Sequence, residues 1–175
     1  GVLLTMPAAL PEDGELAVKL VTVFGKNTGR GLPLIHAALI ALDIKNGQIK
    51  ALMDGEVLTN VRTGAAVGAA TDILARRDAS IVGVIGSSKL AQSQLEAVCN
   101  VRSIEQVRVF SPNPEHAQKC AEEMSGKGPV PDDVLAVTSP QIATKNADIV
   151  CTATTSTKPV IAFKNLKQGV HINAV

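Results

Sequence analysis

Ile81-Val82-Gly83-Val84-Ile85-Gly86-Ser87-Ser88-Lys89-Leu90-Ala91 starts as an unbroken apolar run, passes through a turn of small residues and leads into a stretch with helical spacing, Gln92 to Val98. An apolar run of this length without alternation belongs to a strand covered on both faces, as in a parallel sheet. Strand, tight turn and helix start make the geometry in which a dinucleotide-binding fold seats a pyrophosphate. In that fingerprint the first glycine forms the turn, the second lets the backbone approach the phosphates, and the third small residue packs helix against strand. Gly86 and Ala91 fit the outer positions, and Ser88 replaces the middle glycine. On these residues alone, an ordinary strand-turn-helix of some other α/β protein fits equally well.

Composition narrows the class. At 175 residues the chain holds one good core, or one domain and part of another. Apolar residues make up 46% but aromatics only 2%, with no Trp or Tyr, so the core is built from Val, Ile, Leu and Ala, as suits a parallel sheet covered by helices. A net charge of +1 gives no reason to expect a nucleic-acid partner. No apolar run is long enough to cross a bilayer, so a membrane role is not expected either. The three cysteines, Cys99, Cys120 and Cys151, lie far apart without metal-ligand spacing. They read as reduced core thiols, which fits a cytoplasmic protein, and no metal site is expected.

Two regions differ in pattern. The first carries short strand-like runs, Val2–Met6, Leu16–Phe24, Ala38–Asp43 and Ile49–Met53, with turn signals at Pro11-Glu12-Asp13-Gly14 and Asn46-Gly47, an antiparallel arrangement. Asp54 then caps a helix expected over Glu56–Arg77, on which Gly64-Ala65-Ala66 and Gly68-Ala69-Ala70 make a face small enough for close packing. From Ile81 onward strands and helices alternate, with later strands at Val107–Phe110, Val134–Thr138, Ile149–Ala153 and Val170–Val175. The expected architecture is α/β, a Rossmann-type doubly wound domain over 78–175 preceded by part of an α+β domain over 1–77. The final run has no helix after it, as expected of the middle of a longer chain.

Some polar residues stand in apolar surroundings. Lys19 interrupts Leu16-Ala17-Val18-Lys19-Leu20-Val21, as an edge-strand lysine that blocks unwanted pairing would, or as an ammonium facing a cleft. Arg62 lies one turn after Thr59, either as a snorkelling surface arginine or as a bidentate carboxylate clamp. His36 reads as a loop histidine rather than a catalyst.

Met6-Pro7-Ala8, Lys19-Leu20-Val21-Thr22-Val23-Phe24, Asn27, Gly31-Leu32-Pro33, Met53-Asp54-Gly55, Leu58-Thr59-Asn60-Val61-Arg62-Thr63-Gly64-Ala65 and Lys167 to Val175 together resemble the ornithine cyclodeaminase and mu-crystallin family, in order and over nearly the whole chain. The resemblance implies a substrate-binding and dimerisation domain followed by an NAD(P)-binding domain. It implies a homodimer and a small amino-acid or cyclic imine substrate. Lys19 and Arg62 match the family's binders of the substrate carboxylate. Gly86, Ser88, Lys89 and Leu90 match the phosphate turn and the residues after it. Ser111 matches the position that reads the adenosine ribose, and Thr152, Asn173, Ala174 and Val175 match later cofactor contacts.

The implied chemistry is hydride transfer at Cα of an α-amino acid. A cyclodeaminase continues to a cyclic product with loss of ammonia, and a ketimine reductase runs the hydride step in the reducing direction. The family's proton-carrying aspartate matches a position just beyond Val175, so this chain alone is expected to be inactive. A non-catalytic protein that holds a nucleotide or small ligand, as some crystallins do, is the other reading.

Departures from the pattern bear on the cofactor. Ser88 puts a Cβ where glycine is usual. Leu90 stands where glutamine is frequent, and Leu34 where threonine is, each removing a polar contact. Ser111 replaces the acid that would bind a ribose 2′-hydroxyl and repel a 2′-phosphate, which tips the reading toward NADP over NAD.

Overall fold

In the computed structural model, which describes residues 1–175 apart from the side chains of Thr28 and Asn165, the first region forms β1 (Val2–Leu10), β2 (Glu15–Val23), β3 (Ile35–Asp43) and β4 (Ile49–Asp54). They make one antiparallel sheet in chain order. β1 continues past Met6 through Pro7, which is tolerated because an edge strand needs partners on one side only. Asn46-Gly47 lies in the β3–β4 hairpin, but in a longer loop than a two-residue turn. Asp43 Oδ1 accepts from the N–H groups of Lys45 and Asn46, and Gly47 alone in that loop takes a positive φ, 74°. No described residue before Gly55 is buried, and Val2, Leu3, Leu4, Met6 and Leu10 of β1 are all exposed.

The helix α1 (Gly55–Leu74) follows β4 directly. Asp54 Oδ1 caps it as expected, accepting from Glu56 N at 2.8 Å and Val57 N at 3.1 Å. Gly55 is pressed onto β3 so that a Cβ would lie 2.8 Å from the Ala37 methyl, and only glycine lets the first turn sit there. The chain divides into two compact units, Gly1–Asn60 and Val61–Val175. The division thus falls inside α1, whereas the sequence pattern drew it after residue 77.

The second unit continues with β5 (Ile81–Ile85), α2 (Lys89–Val101), β6 (Gln106–Phe110), α3 (Pro114–Met124), β7 (Val134–Val137), the short α4 (Pro140–Thr144), β8 (Ile149–Thr152) and β9 (His171–Ala174). The five strands are parallel, in the order β7-β6-β5-β8-β9. From β5 the chain winds outward through β6 and β7, then returns to β8 and β9 on the other side, which puts the switch point of a Rossmann-type sheet between β5 and β8. Val82, Val107, Val109, Ile149 and Val150 are wholly buried in this sheet, and Leu95, Val98 and Met124 close the core from the helices. All three cysteines are buried and unpaired, and burial pushes the Cys99 and Cys151 thiols up to about 12.

Within this unit α1 buries the stripe Thr63, Gly64, Val67, Gly68 and Thr71, which Ala75 continues just past the helix end. Gly64 and Gly68 face Ser93 and Ala97 of α2, and a Cβ at Gly68 would sit 3.2 Å from the Ala97 methyl. The helix stops at Leu74 rather than Arg77 because a distant group takes its last carbonyls. The guanidinium of Arg102, only 5% exposed, donates to the carbonyls of Thr71, Asp72, Ala75 and Arg76, each at 2.9 Å, and to the Asp72 carboxylate at 3.0 Å. Asp148 ties together the opposite, amino-terminal ends of β5 and β8. Its buried carboxylate accepts from Arg76, Lys167 and the N–H groups of Ser80 and Ile81. Burial pushes this carboxyl up, but the Lys167 ammonium and the two N–H groups outweigh it and hold it below the usual carboxylate range.

Candidate functional site

The carboxyl ends of the parallel strands are in register. Ile85 pairs with Phe110 and with Thr152, Phe110 with Val137, and Thr152 with Ala174. Gly86, Ser111, Ala153 and Val175 therefore leave the sheet one residue beyond a common row. Most of the cofactor candidates read from the sequence lie along this edge, where α/β sheets of this topology bind their ligands.

Gly86 has φ 119°, and a Cβ there would collide with the Ala153 carbonyl, so glycine is required on both conformational and steric grounds. Its N–H donates to Phe110 O at 2.9 Å, pinning the turn across to β6. Ser88 is not a strained substitute for glycine. It takes extended backbone angles, φ −72° and ψ 170°, and its Oγ caps α2 by accepting from Ala91 N at 3.4 Å. The turn and the first turn of α2 thus fit a pyrophosphate: the helix N-terminus supplies N–H donors and partial positive charge. Lys89 is exposed and pairs with Glu123 at 3.1 Å. Leu90 instead turns its side chain toward the core and packs against the main hydrophobic cluster.

Ser111 is buried at the end of β6. Thr152 is also buried, its Oγ1 donating to Asn173 O at 3.5 Å and its carbonyl accepting from Gln94 Nε2 at 3.4 Å. The Asn173 amide is engaged inside the protein, donating to Thr71 Oγ1 at 3.0 Å and meeting His171 Nε2 at 3.1 Å. Ala174 and Val175 are exposed.

In the first unit, Lys19 on β2 is half-buried and its Nζ donates to Thr59 Oγ1 at 2.5 Å. Thr59 Oγ1 in turn donates to Gly55 O at 2.5 Å, so the hydroxyl fixes the ammonium to the first turns of α1. This lysine does not serve the edge-strand role, because β2 is flanked by β1 and β3. Arg62 lies three residues after Thr59 on α1, a spacing that shares a helix face, and is exposed without a hydrogen bond or ion pair among the described residues. His36 is exposed on β3 and Asp54 is a cap. Among the described residues no group of His, Cys, Asp and Glu could hold a metal ion, and no helix is long and apolar enough to cross a membrane.

Thr59 and Gln94 were not legible as site-supporting residues, since their partners are remote in sequence. The capping role of Ser88 was missed as well, although a serine immediately before helical periodicity is an N-cap signal that could have revealed it.

Fold and edge together define a Rossmann-type α/β protein carrying a glycine turn at its switch point. The chain belongs to the ornithine cyclodeaminase/mu-crystallin family, whose model matches residues 1–175. It is similar to the Δ1-pyrroline-2-carboxylate reductase of Thermococcus litoralis solved with NADH and L-proline, at 44% identity and a TM-score of 0.92 over 99% of this chain and 53% of that one. It is 37% identical to the Δ1-pyrroline-2-carboxylate reductase of Bacillus cereus over 98% of this chain and 52% of that protein. To the ketimine reductase mu-crystallin of Mus musculus it is 33% identical, over 100% of this chain and 54% of that protein. The chain spans about half the length of the curated relatives it matches.

Proposed function

We propose that this chain is part of an NAD(P)-dependent enzyme that reduces a small cyclic ketimine carboxylate, such as Δ1-pyrroline-2-carboxylate, to the cyclic amino acid. The observation that carries the reading is the glycine turn at the switch point, in a chain 44% identical to a reductase that was solved with NADH and L-proline. The bound dinucleotide would supply the hydride that adds to the imine carbon, while the imine nitrogen takes a proton. The chain's own residues bind and orient. Gly86, Ser88 and the α2 N-terminus receive the pyrophosphate. The edge formed by Ser111, Thr152 and Asn173 to Val175 holds the nucleoside parts. Lys19, steadied by Thr59, and Arg62 take the substrate carboxylate through charge-assisted hydrogen bonds, fixing the imine carbon for attack.

The absence of an acid at Ser111 favours NADP over NAD. A homodimer is supported by the exposed apolar strand β1, which a second copy would cover, and sedimentation of the full-length protein as a monomer would remove that part of the reading.

The test is consumption of reduced nicotinamide by the full-length protein with Δ1-pyrroline-2-carboxylate. Turnover that requires the imine supports the reductase. Ammonia release from ornithine without net change in the nicotinamide would instead make it a cyclodeaminase, and dinucleotide binding with neither reaction would make it a binding protein.

A further inference from the structure

A groove of about 370 Å³ opens beside the phosphate turn, between the first turn of α2 and one face of α3. Ser87, Ser88 and Lys89 line it from the turn, and His116, Lys119 and Glu123 from α3. The spacing of those three, at i, i+3 and i+7, puts them on a single helical face. Glu123 is bound there by Gln92 Nε2 at 2.8 Å, by Lys89 at 3.1 Å and by Lys119 at 3.8 Å. Those partners hold its carboxyl below the usual carboxylate range, so it is ionised at neutral pH. Two lysines against one glutamate leave the groove net positive, and His116 adds a further donor. Lys89, His116 and Lys119 are all exposed, so nothing in this unit covers them.

The position matters as much as the charge. The adenosine ribose of a dinucleotide is read at the end of the second strand, here Ser111, and α3 begins only three residues later. A phosphate on the ribose 2′-oxygen is the group that would enter a basic groove between the phosphate turn and α3. Ser111 is buried and is followed by Pro112 and by Asn113, whose side chain caps α3. Those positions therefore offer no cation of their own, and the positive charge comes instead from α2 and the exposed face of α3.

We propose that this groove is a phosphate-monoester site that receives the 2′-phosphate of NADP, with Lys89, His116 and Lys119 as its donors and Glu123 as the internal carboxylate that orders the lysines while limiting affinity. This rests on the dinucleotide reading above and adds to it the residues that choose between the two cofactors.

The test is titration of NADPH and NADH by nucleotide fluorescence, unobscured because the chain has no Trp or Tyr, on the full chain and on the H116A/K119A and E123Q variants. The expected results are NADPH bound about tenfold tighter than NADH, that gap closed in H116A/K119A with NADH affinity unchanged, and the gap widened several-fold in E123Q. Inorganic phosphate should compete with NADPH more than with NADH. Equal binding of the two nucleotides, or a gap that survives H116A/K119A, overturns the groove while leaving the dinucleotide reading intact. Phosphate binding without a gain from the 2′-phosphate makes the groove a free-phosphate site and overturns its cofactor role. Binding of neither nucleotide overturns both readings.

Discussion

Replacing Arg102 with methionine tests the account of how α1 ends. Of the five carbonyls that the guanidinium serves, Val101 O at 2.6 Å among them, two keep another donor: Thr71 O accepts from Ala75 N at 3.0 Å and Arg76 O from Ala79 N at 3.3 Å. Asp72 O, Ala75 O and Val101 O have no other donor among the described residues. A buried carbonyl stranded in this way, as at Ala75, costs about 1–3 kcal/mol, and the part-buried carbonyls of Asp72 and Val101 cost less each, so the three together cost roughly 2–6 kcal/mol. Methionine gives part of this back, because a buried guanidinium is itself expensive to desolvate. The expected net loss is about 3 kcal/mol, and for a chain of this size that lowers Tm by roughly 6–12 °C. Urea unfolding followed by circular dichroism reads the loss directly. R102K should fall in between, since an ammonium brings three donors but not the planar fork. If R102M unfolds within about 0.5 kcal/mol of the parent chain, the guanidinium is not what terminates and holds α1.

G86A is expected to weaken binding of a reduced nicotinamide dinucleotide at least about tenfold without changing the far-ultraviolet spectrum, because the new Cβ must displace the Ala153 carbonyl at the switch point; unchanged affinity would free the turn of that role. K19M should lower kcat/KM for the imine carboxylate in the full-length protein on the order of a hundredfold with nucleotide affinity unchanged, and a silent change would favour a binding protein over an enzyme. T59V, which removes the hydroxyl under the Lys19 ammonium, should cost several-fold in KM and little in nucleotide affinity. Asp148 has a lowered carboxyl pKa in the fold, so its contribution is fully present above the unfolded value, about 4, and is lost as pH falls through the still lower folded value. D148N should therefore flatten the acid side of a plot of urea midpoint against pH and cost about 2 kcal/mol at neutral pH; an unaltered slope would show that the cluster does not couple to folding.

What could be read from the sequence was what neighbouring residues decide. Apolar runs bounded by turn residues located the nine strands found among the described residues, and Ile81 to Ala91 identified the switch-point strand and its turn, because period and punctuation are local signals. The end of α1 was misjudged because Arg102, which takes its last carbonyls, lies some thirty residues away. The setting of Lys19 was hidden for the same reason: its partner Thr59 is forty residues on, and the run around Lys19 reads the same on an edge strand as on a central one.

Ser88 and Leu90 carry a different lesson. Against the family pattern both read as erosion of a cofactor site. In the fold Ser88 adopts a backbone that needs no glycine and caps α2, and Leu90 fills core space against the main cluster. A substitution that has acquired a structural task is compensated, and it counts as loss of function only where the ligand needs the atom that was removed. A pyrophosphate at a helix N-terminus needs backbone N–H groups, which Ser88 and Leu90 still possess. The two departures therefore do not favour a protein that has given up its cofactor, and the choice between enzyme and binding protein falls to Lys19 and Arg62. A half-buried, hydroxyl-braced ammonium and an arginine one helical turn beyond its brace, without a partner among the described residues, suit the carboxylate-binding role proposed for them better than a purely structural one.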